Sequence, residues 1–546
     1  MKVSINWLKE LVDLKISIEE VIRLLPLRTI GLKEVTPDYI ELDMKGYNRA
    51  DLLSLRGVAY EIAAITNSEI KFEEEKQFVW EENNLTKTKV TVENKYLAPL
   101  YCIARIENLK VEESNETWVK RLNDSGIRAV NNIADVTNLI MVEFGQPMHA
   151  FDAAQVADEA IIVKAAKNGE ELTTLDGKAR KLTPEDLLIT DPQKALGLAG
   201  VMGGKNSEVT EETSAILLEA AIFDSKTLRK TSTKLGLVSE AGKRFYHGLT
   251  KQRLFQALNK AIKMYEEIGG RLTALTIVDN LNQQSITLDL TQKKTNSLIG
   301  IEIPAKQVEK HLAALRFKLA SHIGSGSVVW EVTVPYWRLD IEIEEDLIEE
   351  VTRMYGYEKI PAKALNTNIP IISQNLFFDL LERLKQAFSQ AGLTEVQTYS
   401  YYSSQVINNL GLRINDLIKI ANPISSETEY LRDNLWPNLL EVTAKNTRNG
   451  TADAAVFEIG KVYKIQDGLP QESYHLSIAL SNGTTNPLQE LNQIAQKLNL
   501  QLKDQLTGEY FHPIRHIEGI AEVHPRIVNK FKVEQRIAVL ELDLSS

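Results

Sequence analysis

The hydrophobic and polar positions of the first 75 residues follow the period of amphipathic helices. Apolar residues between Leu53 and Ile65 form one helical stripe, and Ser17 with Glu20 forms a capping box ahead of a second apolar run. From about residue 88 the pattern changes to short alternating strands, of which KVTVEN and LYCIARI are examples. We therefore predict a small α+β module at residues 1–87 and a different domain after it.

The domain predicted at residues 88–281 mixes strands with helices. Asp176-Gly177 separates two alternating runs as a hairpin turn, and Thr183-Pro184-Glu185-Asp186 is typical of a helix start. A helix predicted from Lys251 to Ile268 ends at Gly269-Gly270. This mixture predicts an α+β domain.

Two more domains are predicted toward the end of the chain. Residues 282–365 carry the strands SITLDL and VWEVTVP, a helix around Pro304 to Leu315, a Gly/Ser loop at HIGSGS and a helix that Gly356 closes. Residues 366–546 begin with a long helix, Leu376 to Ala391, and continue with strands such as VFEIGKVYKI, SIALS and IAVLELDL. The last pattern predicts an antiparallel sheet with flanking helices.

Composition is that of an ordinary globular protein. At 546 residues the chain is too long for one hydrophobic core, and 43% hydrophobic with 25% charged residues is typical of soluble domains. A single cysteine, Cys102, excludes a disulfide framework and a cysteine zinc site. The N-terminus lacks the apolar core of a signal peptide and no apolar run approaches a membrane span, so we expect a cytoplasmic protein that does not contact a membrane.

The net charge is compatible with a local basic site but argues against a basic surface overall. A net charge of −11 argues against a surface built throughout to hold nucleic acid. Between Ser225 and Lys251, however, the chain has seven Lys or Arg residues and one Glu. Such a strip suits the neutralisation of phosphates, and an ordinary solvated helix face is the alternative.

Two polar side chains stand in apolar surroundings. Glu219 is the single carboxylate of the nine-residue stretch AILLEAAIF, and burying it without a partner costs several kcal/mol. It therefore either has a partner or points outward from an edge strand. His149 follows the turn in NLIMVEFGQPMHAFD, where taken alone it is interpreted as a half-buried side chain with an ordinary hydrogen bond. The glycines of ALGLAGVMGG lack the spacing of a phosphate loop, so they either let a ligand approach the backbone or form a tight turn.

Six stretches, taken in order, resemble the β chain of bacterial phenylalanyl-tRNA synthetases. They are NRADLLSLRGVAYEIAAI, DVTNLIMVEFGQPMHAFD, GLAGVMGG, ILLEAAIFD, PYWRLDIEIEEDLIEEVTRMYGYEKIP and FHPIR…GIAEVHP. The resemblance implies a multidomain α+β fold with an N-terminal α+β module, a mixed editing domain, a small winged-helix-like α+β domain and a degenerate copy of the class II synthetase fold. By the same resemblance, we expect this chain to lack the family's inserted oligonucleotide-binding-fold tRNA module near residue 40 and its C-terminal ferredoxin-like anticodon-binding domain.

The resemblance also implies a function. The family attaches phenylalanine to its tRNA with ATP, which the alpha subunit binds, in an assembly of two alpha and two beta chains. Because an apolar pocket rejects an added hydroxyl only about a hundredfold, a second site that demands the tyrosine hydroxyl is a logical complement. The alternatives are a non-catalytic scaffold whose editing site has decayed and a free-standing hydrolase that works without an alpha chain.

The family motifs assign roles to individual residues, all by resemblance. Glu219 is the specificity residue that accepts the tyrosyl hydroxyl, and Gly203 lines the pocket. In VSEAGKRFYHG, Ser239 stands at a hydroxyl position and Ala241 at a small residue that keeps the pocket open. His149 and Asn138 would lie beside the scissile ester. Whether His149 takes a proton or only orients water stays open, as does catalysis by the ribose of the substrate.

The stretch DIEIEEDLIEE holds seven carboxylates and no base. On a helix Asp346, Glu349 and Glu350 stand at i, i+3 and i+4 on one face, with Asp340 just before it. Carboxylate oxygens suit Mg²⁺. By resemblance these four bind magnesium shared with the alpha chain, and a solvated acidic face is the alternative.

Overall fold

In this computed structural model, residues 1–544 are described except for 76–77, 79, 81–84, 325, 365–366, 368–372, 452, 483–485, 499, 501–510 and 518. The chain divides into two compact units, Met1–Ala364 and Leu365–Ser546. The second unit begins one residue before the predicted boundary at residue 366.

The first part of the first unit has two small sheets, β1-β4-β3 and β2-β5, packed against helices. Its strands are β1 (Lys2–Ser4), β2 (Val12–Asp13), β3 (Leu32–Val35), β4 (Tyr39–Leu42) and β5 (Glu69–Ile70), and its helices are α1 (Ile5–Leu11), α2 (Ile18–Arg28) and α3 (Leu55–Thr66). The side chains of Ser17 and Ser54 cap α2 and α3 by accepting backbone N–H groups, as expected for serine at this position. Both predicted helices are therefore confirmed.

Two sheets form the middle of the first unit. One has the order β16-β7-β15-β8 and the other β14-β13-β12-β9-β6, with β10 and β11 as a separate hairpin. The strands are β6 (Lys89–Val92), β7 (Leu100–Glu107), β8 (Met148–Asp152), β9 (Ala160–Ala165), β10 (Glu171–Thr173), β11 (Ala179–Lys181), β12 (Leu187–Thr190), β13 (Ala195–Leu198), β14 (Met202–Gly203), β15 (Ile216–Ile222) and β16 (Arg271–Asp279).

Helices cover these sheets and supply the apolar faces that the strands need. They are α4 (Glu116–Asp124), α5 (Asn132–Phe144), α6 (Ser225–Leu235), α7 (Glu240–His247) and α8 (Lys251–Glu267). The predicted hairpin at Asp176-Gly177 and the predicted helix that ends near Gly269 are confirmed.

The predicted helix start at Thr183 to Asp186 is wrong. The Asp186 carboxylate accepts the backbone N–H of Thr183 and closes a turn, and the chain then enters the buried strand β12. Asp and Thr favour helix caps and such turns for the same reason, because their side chains bond nearby backbone groups. The local residues therefore do not distinguish the two structures.

The last part of the first unit is a three-stranded sheet, β17-β19-β18, with helices beside it. Its elements are β17 (Thr287–Thr291), α9 (Gln292–Ile299), α10 (Ala305–Ala314), β18 (Lys318–Gly324), β19 (Ser327–Thr333) and α11 (Glu344–Tyr355). The predicted strands and helices are confirmed. HIGSGS is not all loop, because β18 continues through Gly324 before the hairpin turns.

The hydrophobic cores do not have the same boundaries as the predicted domains. One core runs from Val3 to Leu275 and crosses the predicted boundary at residue 87 without a break. A separate core joins β17, β19, α10 and α11. The first two predicted domains therefore share one interior.

The second unit is a six-stranded sheet with the order β20-β23-β24-β27-β26-β25. Its elements are α12 (Leu376–Gln390), β20 (Thr394–Glu395), β21 (Tyr401–Tyr402), α13 (Ser404–Leu410), β22 (Tyr430–Leu431), α14 (Trp436–Arg448), β23 (Ala454–Gln466), β24 (Leu469–Asn482), α15 (Pro487–Lys497), β25 (Phe511–Ile517), β26 (Ile520–Val523), α16 (Pro525–Lys530) and β27 (Arg536–Asp543). The strands pair antiparallel except for β20, which pairs parallel with β23.

Successive residues of β23 point to opposite faces of this sheet and pack in two separate hydrophobic cores. Val456 packs in a core with α14, and Phe457 packs with α12 and α15 in another. An antiparallel sheet with flanking helices, as predicted, is the architecture of this unit. Among the described residues, no helix has the length and apolarity that a membrane crossing requires.

Candidate functional site

Strand β15 carries Glu219 through the centre of a sheet. All seven residues of β15 are buried, and the strand lies between β7 and β8. Glu219 is directly opposite His149 of β8, and two residues further along Ala221 is opposite Tyr101 of β7. Because side chains alternate between faces, these residues all point to one side of the sheet. Glu219 therefore does not point outward from an edge strand.

The buried carboxylate has a partner within the chain. The Tyr101 hydroxyl donates a hydrogen bond to Glu219 Oε2 at 2.7 Å. Among the described residues no donor bonds the other oxygen, Oε1. Sequence reasoning expected a phenol as partner but took it from a substrate, and it missed Tyr101.

Burial shifts the pKa values of Glu219 and His149 in opposite directions. It raises the pKa of Glu219 to about 7, and the hydrogen bond from Tyr101 acts in the opposite direction with less effect. Burial lowers the pKa of His149 to about 4. At neutral pH the imidazole is therefore neutral, and the carboxyl is close to its midpoint.

Gly203 of β14 makes room for the imidazole. A Cβ atom at Gly203 would lie 2.6 Å from His149 Cε1 and 2.7 Å from Nε2, closer than non-bonded atoms come. Within the described residues, His149 Nε2 is buried with no hydrogen-bond partner. The ring packs edge-on against Phe151, with centroids 4.5 Å apart. Glycine at this position is thus a consequence of where the imidazole lies.

These residues line a cavity of about 80 Å³. Its wall is formed by Pro147, Met148, His149, Phe151, Ile189, Gly197, Leu198, Gly200, Val201, Met202, Gly203, Glu219, Ala241 and Phe245. Apart from one carboxyl and one imidazole, the side chains of the wall are apolar. A polar group that enters the cavity therefore has only these two side chains as hydrogen-bond partners in the wall.

The structure brings four of the six predicted residues to this cavity and places the other two outside its wall. Glu219, His149, Gly203 and Ala241 line it. Ser239 instead caps α7, where its hydroxyl accepts the N–H of Gly242 at 3.0 Å and donates to the Val201 carbonyl at 3.2 Å.

Ser239 therefore joins α7, which carries Ala241, to the glycine segment beside it. Asn138 is a half-exposed residue of α5 and does not line the cavity.

The basic strip on α6 and α7 divides into exposed and structural cations. Lys226, Lys230 and Lys243 are exposed. Arg244 is 3% exposed and donates to the Leu53 carbonyl at 3.0 Å, so it holds α7 in place. The exposed cations of this strip lie on α6 and α7, the two helices that follow β15, and α7 also lines the cavity.

A larger cleft of about 1250 Å³ also lies in the first unit. Tyr60 and Trp337 stack in it with centroids 4.2 Å apart. Glu74, one of three glutamates in its lining, accepts hydrogen bonds from the hydroxyls of Tyr60 and Tyr336. The cleft lacks the opposed acid and imidazole of the smaller cavity, which is why we place the chemistry in the latter.

The four carboxylates predicted to bind magnesium do not form one group. Glu350 is buried, and its Oε2 accepts from Arg338 and from Arg353, each at 2.5 Å. Glu349, the next residue of α11, is exposed. Glu349 and Glu350 are therefore neighbours on α11 with different surroundings, since Glu350 faces the interior and Glu349 faces solvent.

The remaining two carboxylates have other partners. Asp340 accepts from Arg338 at 2.7 Å. Asp346 accepts the N–H groups of Glu342 and Ile343 at the start of α11, at 2.8 and 3.0 Å. Across the part of the chain that is described, no group of three or more His, Cys, Asp or Glu side chains is placed to hold a metal ion. Within this chain the four carboxylates therefore do not form one metal-binding group, and a magnesium site shared with the alpha chain stays a prediction.

Glu350 belongs to a buried network of charges. Arg353 donates to Glu61 of α3 at 2.8 Å, and Arg49 donates to both Glu61 and Asp51 at 2.6 Å. Burial acts to raise the pKa of Glu350, but the guanidinium groups of Arg338 and Arg353 hold the pKa of that carboxyl well below its usual range. The network ties α11 to α3.

The second unit also contains buried polar side chains that bond one another. Arg432 donates to Glu458 at 2.9 Å, and His475 Nδ1 lies 2.7 Å from Glu541. Glu541 also accepts the N–H of Leu435 at 3.0 Å. These groups bond one another across the sheet, so they serve the fold of this unit.

Three family models match successive parts of the chain. The model for the B3/4 domain matches residues 97–270, and that for the tRNA synthetase B5 domain matches residues 288–357. The model for the phenylalanyl tRNA synthetase beta chain CLM domain matches residues 360–504. The cavity around Glu219 lies in the first of these matches.

Curated relatives match over most of this chain. It is 34% identical over 515 residues to the phenylalanine–tRNA ligase beta subunit of Staphylococcus haemolyticus, covering 88% of this chain and 63% of that protein. For the same subunit of Dehalococcoides mccartyi the identity is 33% over 539 residues, covering 91% and 66%. For that of Bacillus cereus it is 36% over 436 residues, covering 79% and 54%. The chain thus spans about half to two thirds of the length of these relatives.

Among solved structures, the chain is similar to an N-terminal fragment of the phenylalanyl-tRNA synthetase beta subunit from Pyrococcus horikoshii. The sequence identity is 18% and the TM-score is 0.36, over 65% of this chain and 99% of that chain.

Proposed function

Because the chain belongs to the family of phenylalanine–tRNA ligase beta subunits, we propose that it hydrolyses mischarged tyrosyl-tRNA at the cavity between Glu219 and His149. The observation that carries this proposal is the carboxylate itself. It is buried in an apolar wall, one oxygen is bonded by Tyr101, and no described residue bonds the other. A phenol hydroxyl that enters the cavity supplies the missing donor.

Selectivity follows from the cost of leaving that oxygen unpaired. A tyrosyl group donates its hydroxyl to Glu219 Oε1, whereas a phenylalanyl group has nothing to donate. A site built to bond a hydroxyl rejects the analogue that lacks it by a factor of about 10⁴ or more when its polar group is left buried. Editing of tyrosine and sparing of phenylalanine are thus two results of one hydrogen bond.

Hydrolysis itself needs a placed water molecule. Water adds to the ester carbonyl carbon, the carbon–oxygen bond to the ribose breaks, and the released ribose hydroxyl keeps the proton that the water loses. A base whose pKa is about 4 takes protons from water poorly near neutral pH. We therefore assign His149 the role of holding the water or the terminal ribose through Nε2.

Entry of an aromatic ring requires the wall to adjust. An apolar cavity of about 150 Å³ holds benzene in an engineered protein, and the cavity here measures about 80 Å³. Met148 and Met202 are part of the wall. Methionine has flexible torsions and repacks readily around a ligand. We propose that these two side chains move when the substrate binds.

The partners follow from the family and belong to the same proposal. An alpha subunit performs ligation with ATP, two alpha and two beta chains assemble, and the tRNA for phenylalanine is the shared substrate. The exposed cations of α6 and α7 are proposed to neutralise phosphates near its terminus. Binding of magnesium by Asp340, Asp346, Glu349 and Glu350 together with the alpha chain belongs to the same proposal, and no step of the hydrolysis is assigned to the ion.

The test is deacylation by the chain co-expressed with the alpha subunit of its host. We expect Glu219→Ala to slow hydrolysis of tyrosyl-tRNA by roughly 10- to 150-fold. This is the change in rate that corresponds to the free energy of one hydrogen bond to a charged group. Glu211→Ala, which removes an exposed carboxylate of the same domain, is the matched control and should leave the rate unchanged. Equal rates in both variants would remove Glu219 from the mechanism.

A second candidate function is that of a non-catalytic scaffold. The observation that favours it is Tyr101, because a phenol of the chain already bonds the carboxylate meant for the substrate. An unsubstituted complex that ligates phenylalanine but does not deacylate tyrosyl-tRNA would support the scaffold. A free-standing hydrolase would instead deacylate without the alpha subunit, so the assay is run with and without it.

A further inference from the structure

Tyr101 and Glu219 form an acid–phenol pair held by the sheet. Tyr101 is 0% and Glu219 5% exposed, and the two strands that carry them pair over seven residues. Tyr101 is diagonal to Glu219, a spacing that an aromatic side chain spans in an antiparallel pair. Its ring packs against Phe223, with centroids 6.2 Å apart, so it cannot turn away freely. The 2.7 Å bond is therefore set by the fold.

We propose that Tyr101 is a positioning residue that favours the ionised form of Glu219 and aims the free oxygen Oε1 at the phenol of the substrate. The inference rests on the proposed function and deepens it. A carboxylate that keeps one oxygen in a fixed bond presents the other in one direction. A second phenol then binds beside the first, and each donates to a different oxygen.

The bond also acts on the charge of the carboxylate. A hydroxyl donates more strongly to an ionised carboxylate than to a protonated one, so Tyr101 opposes the effect of burial on Glu219. Without the hydroxyl, the carboxyl would hold its proton at higher pH. It would then donate to the substrate in place of accepting from it, and the preference for a phenol would weaken.

Few other groups act on Glu219. Among the described residues, the titratable groups that face it from the neighbouring strands are Tyr101 of β7 and His149 of β8. Gly203 of β14 and Ala241 and Phe245 of α7 carry no charge. The effect of Tyr101 is therefore separable by one substitution.

The experiment compares Tyr101→Phe with Tyr265→Phe in the complex with the alpha subunit. Tyr265 is also fully buried, and its hydroxyl donates to the Ile133 carbonyl at 2.9 Å, away from Glu219. Each variant loses one buried hydroxyl and keeps its ring. The protonation of Glu219 is followed by infrared difference spectroscopy against Glu219→Gln, and deacylation of tyrosyl-tRNA is measured as a function of pH.

We expect the protonation midpoint of Glu219 to rise by roughly one to two pH units in Tyr101→Phe and to stay constant in Tyr265→Phe. Hydrolysis of tyrosyl-tRNA at pH 7 should fall roughly 5- to 50-fold and recover at higher pH by the same displacement. An unchanged midpoint would overturn the proposal. Faster hydrolysis in Tyr101→Phe would also overturn it, because Tyr101 would then compete with the substrate.

The two proposals fail in different ways. If the unsubstituted complex does not deacylate tyrosyl-tRNA at any pH, the proposed function fails. The infrared measurement still decides whether Tyr101 controls the proton on Glu219, because it needs no substrate.

Discussion

Glu219 and Glu350 are two buried glutamates of the same unit with opposite surroundings. Glu219 is 5% exposed and Glu350 2% exposed. Glu219 accepts a hydrogen bond from one phenol and lies opposite an imidazole whose Nε2 has no partner among the described residues, and burial raises its pKa to about 7. Glu350 meets two guanidinium groups, which keep its pKa well below the usual range.

The comparison shows that burial alone does not make an acidic residue reactive. Where cations surround a carboxylate, its charge is fixed and its oxygens are occupied, so it contributes to the fold. Where only neutral groups surround it, its charge is adjustable and an oxygen stays open to a ligand. The partners of a buried acid, rather than its depth, therefore indicate whether it serves chemistry or structure.

The largest expected effect is on the stability conferred by the arginine network. Glu350→Ala leaves buried guanidinium charge without its partner, and we expect the free energy of unfolding to fall by about 3–5 kcal/mol. Urea unfolding of the chain measures this loss. Glu349→Ala, at the next and exposed position, is the control and should change the value by about 0.5 kcal/mol or less. Equal losses of unfolding free energy in the two variants would contradict the conclusion that Glu350, unlike Glu219, serves the stability of the fold.

The next effect is a difference in pH dependence between the two glutamates. Because the folded-state pKa of Glu219 is about 7 against an ordinary 4.5, its contribution to stability is complete below about pH 4.5 and is lost as the pH rises to 7. Glutamine does not titrate. The free energy of unfolding of Glu219→Gln relative to the unsubstituted chain should therefore rise by about 2–3 kcal/mol between pH 5 and pH 8.

Glu350→Gln should give the opposite behaviour, because its folded-state pKa is depressed. The stability that Glu350 contributes is present above its ordinary pKa and is lost as the pH falls toward the folded-state value. The deficit of Glu350→Gln should be constant above about pH 5 and shrink on acidification. The same slope in both variants would contradict the assignment of the two environments.

A smaller effect is expected from filling the space beside the imidazole. The Cβ atom of Gly203→Ala would overlap the His149 ring, and we expect a loss of about 1–3 kcal/mol in stability together with slower deacylation. Gly31→Ala, which has open space around the new methyl group, is the control. Adding His149→Ala to Gly203→Ala should restore the stability but not the activity. No rescue would mean that the strain lies elsewhere.

The smallest effect concerns the support of the cavity. Ser239→Ala removes the cap of α7 and the bond to the Val201 carbonyl, so we expect a loss of about 1 kcal/mol in thermal unfolding. Ser239→Thr keeps the hydroxyl and should lose less. If Ser239→Ala instead abolished deacylation without a change in stability, Ser239 would contact the substrate, as the family resemblance implied.

The sequence was most informative where a residue contradicted its immediate surroundings. That contrast singled out Glu219 in an apolar strand and His149 after a turn, the family resemblance gave them site roles, and the structure places them opposite each other. Tyr101 was missed, because its bond to Glu219 joins residues 118 positions apart and depends on strand register. Local patterns do not specify which strands pair.

Helix periodicity alone did not reveal that the carboxylates of α11 have different surroundings. The spacing of Asp346, Glu349 and Glu350 predicts a shared face but does not say what packs against each position. Arg338 and Arg353, which bond Glu350, stand in the same sequence motif and were available as a signal. Counting nearby cations before assigning a metal would have favoured the arginine network.

The position of β15 between two partners limits how the site can be redesigned. Residues of a strand alternate between faces, so adding or deleting one residue before Glu219 would turn its carboxylate to the opposite face of the sheet and present an alkyl side chain to the cavity. Libraries aimed at new amino-acid selectivity should therefore vary residue identity on this strand and reserve changes of length for the loops that join it to its neighbours.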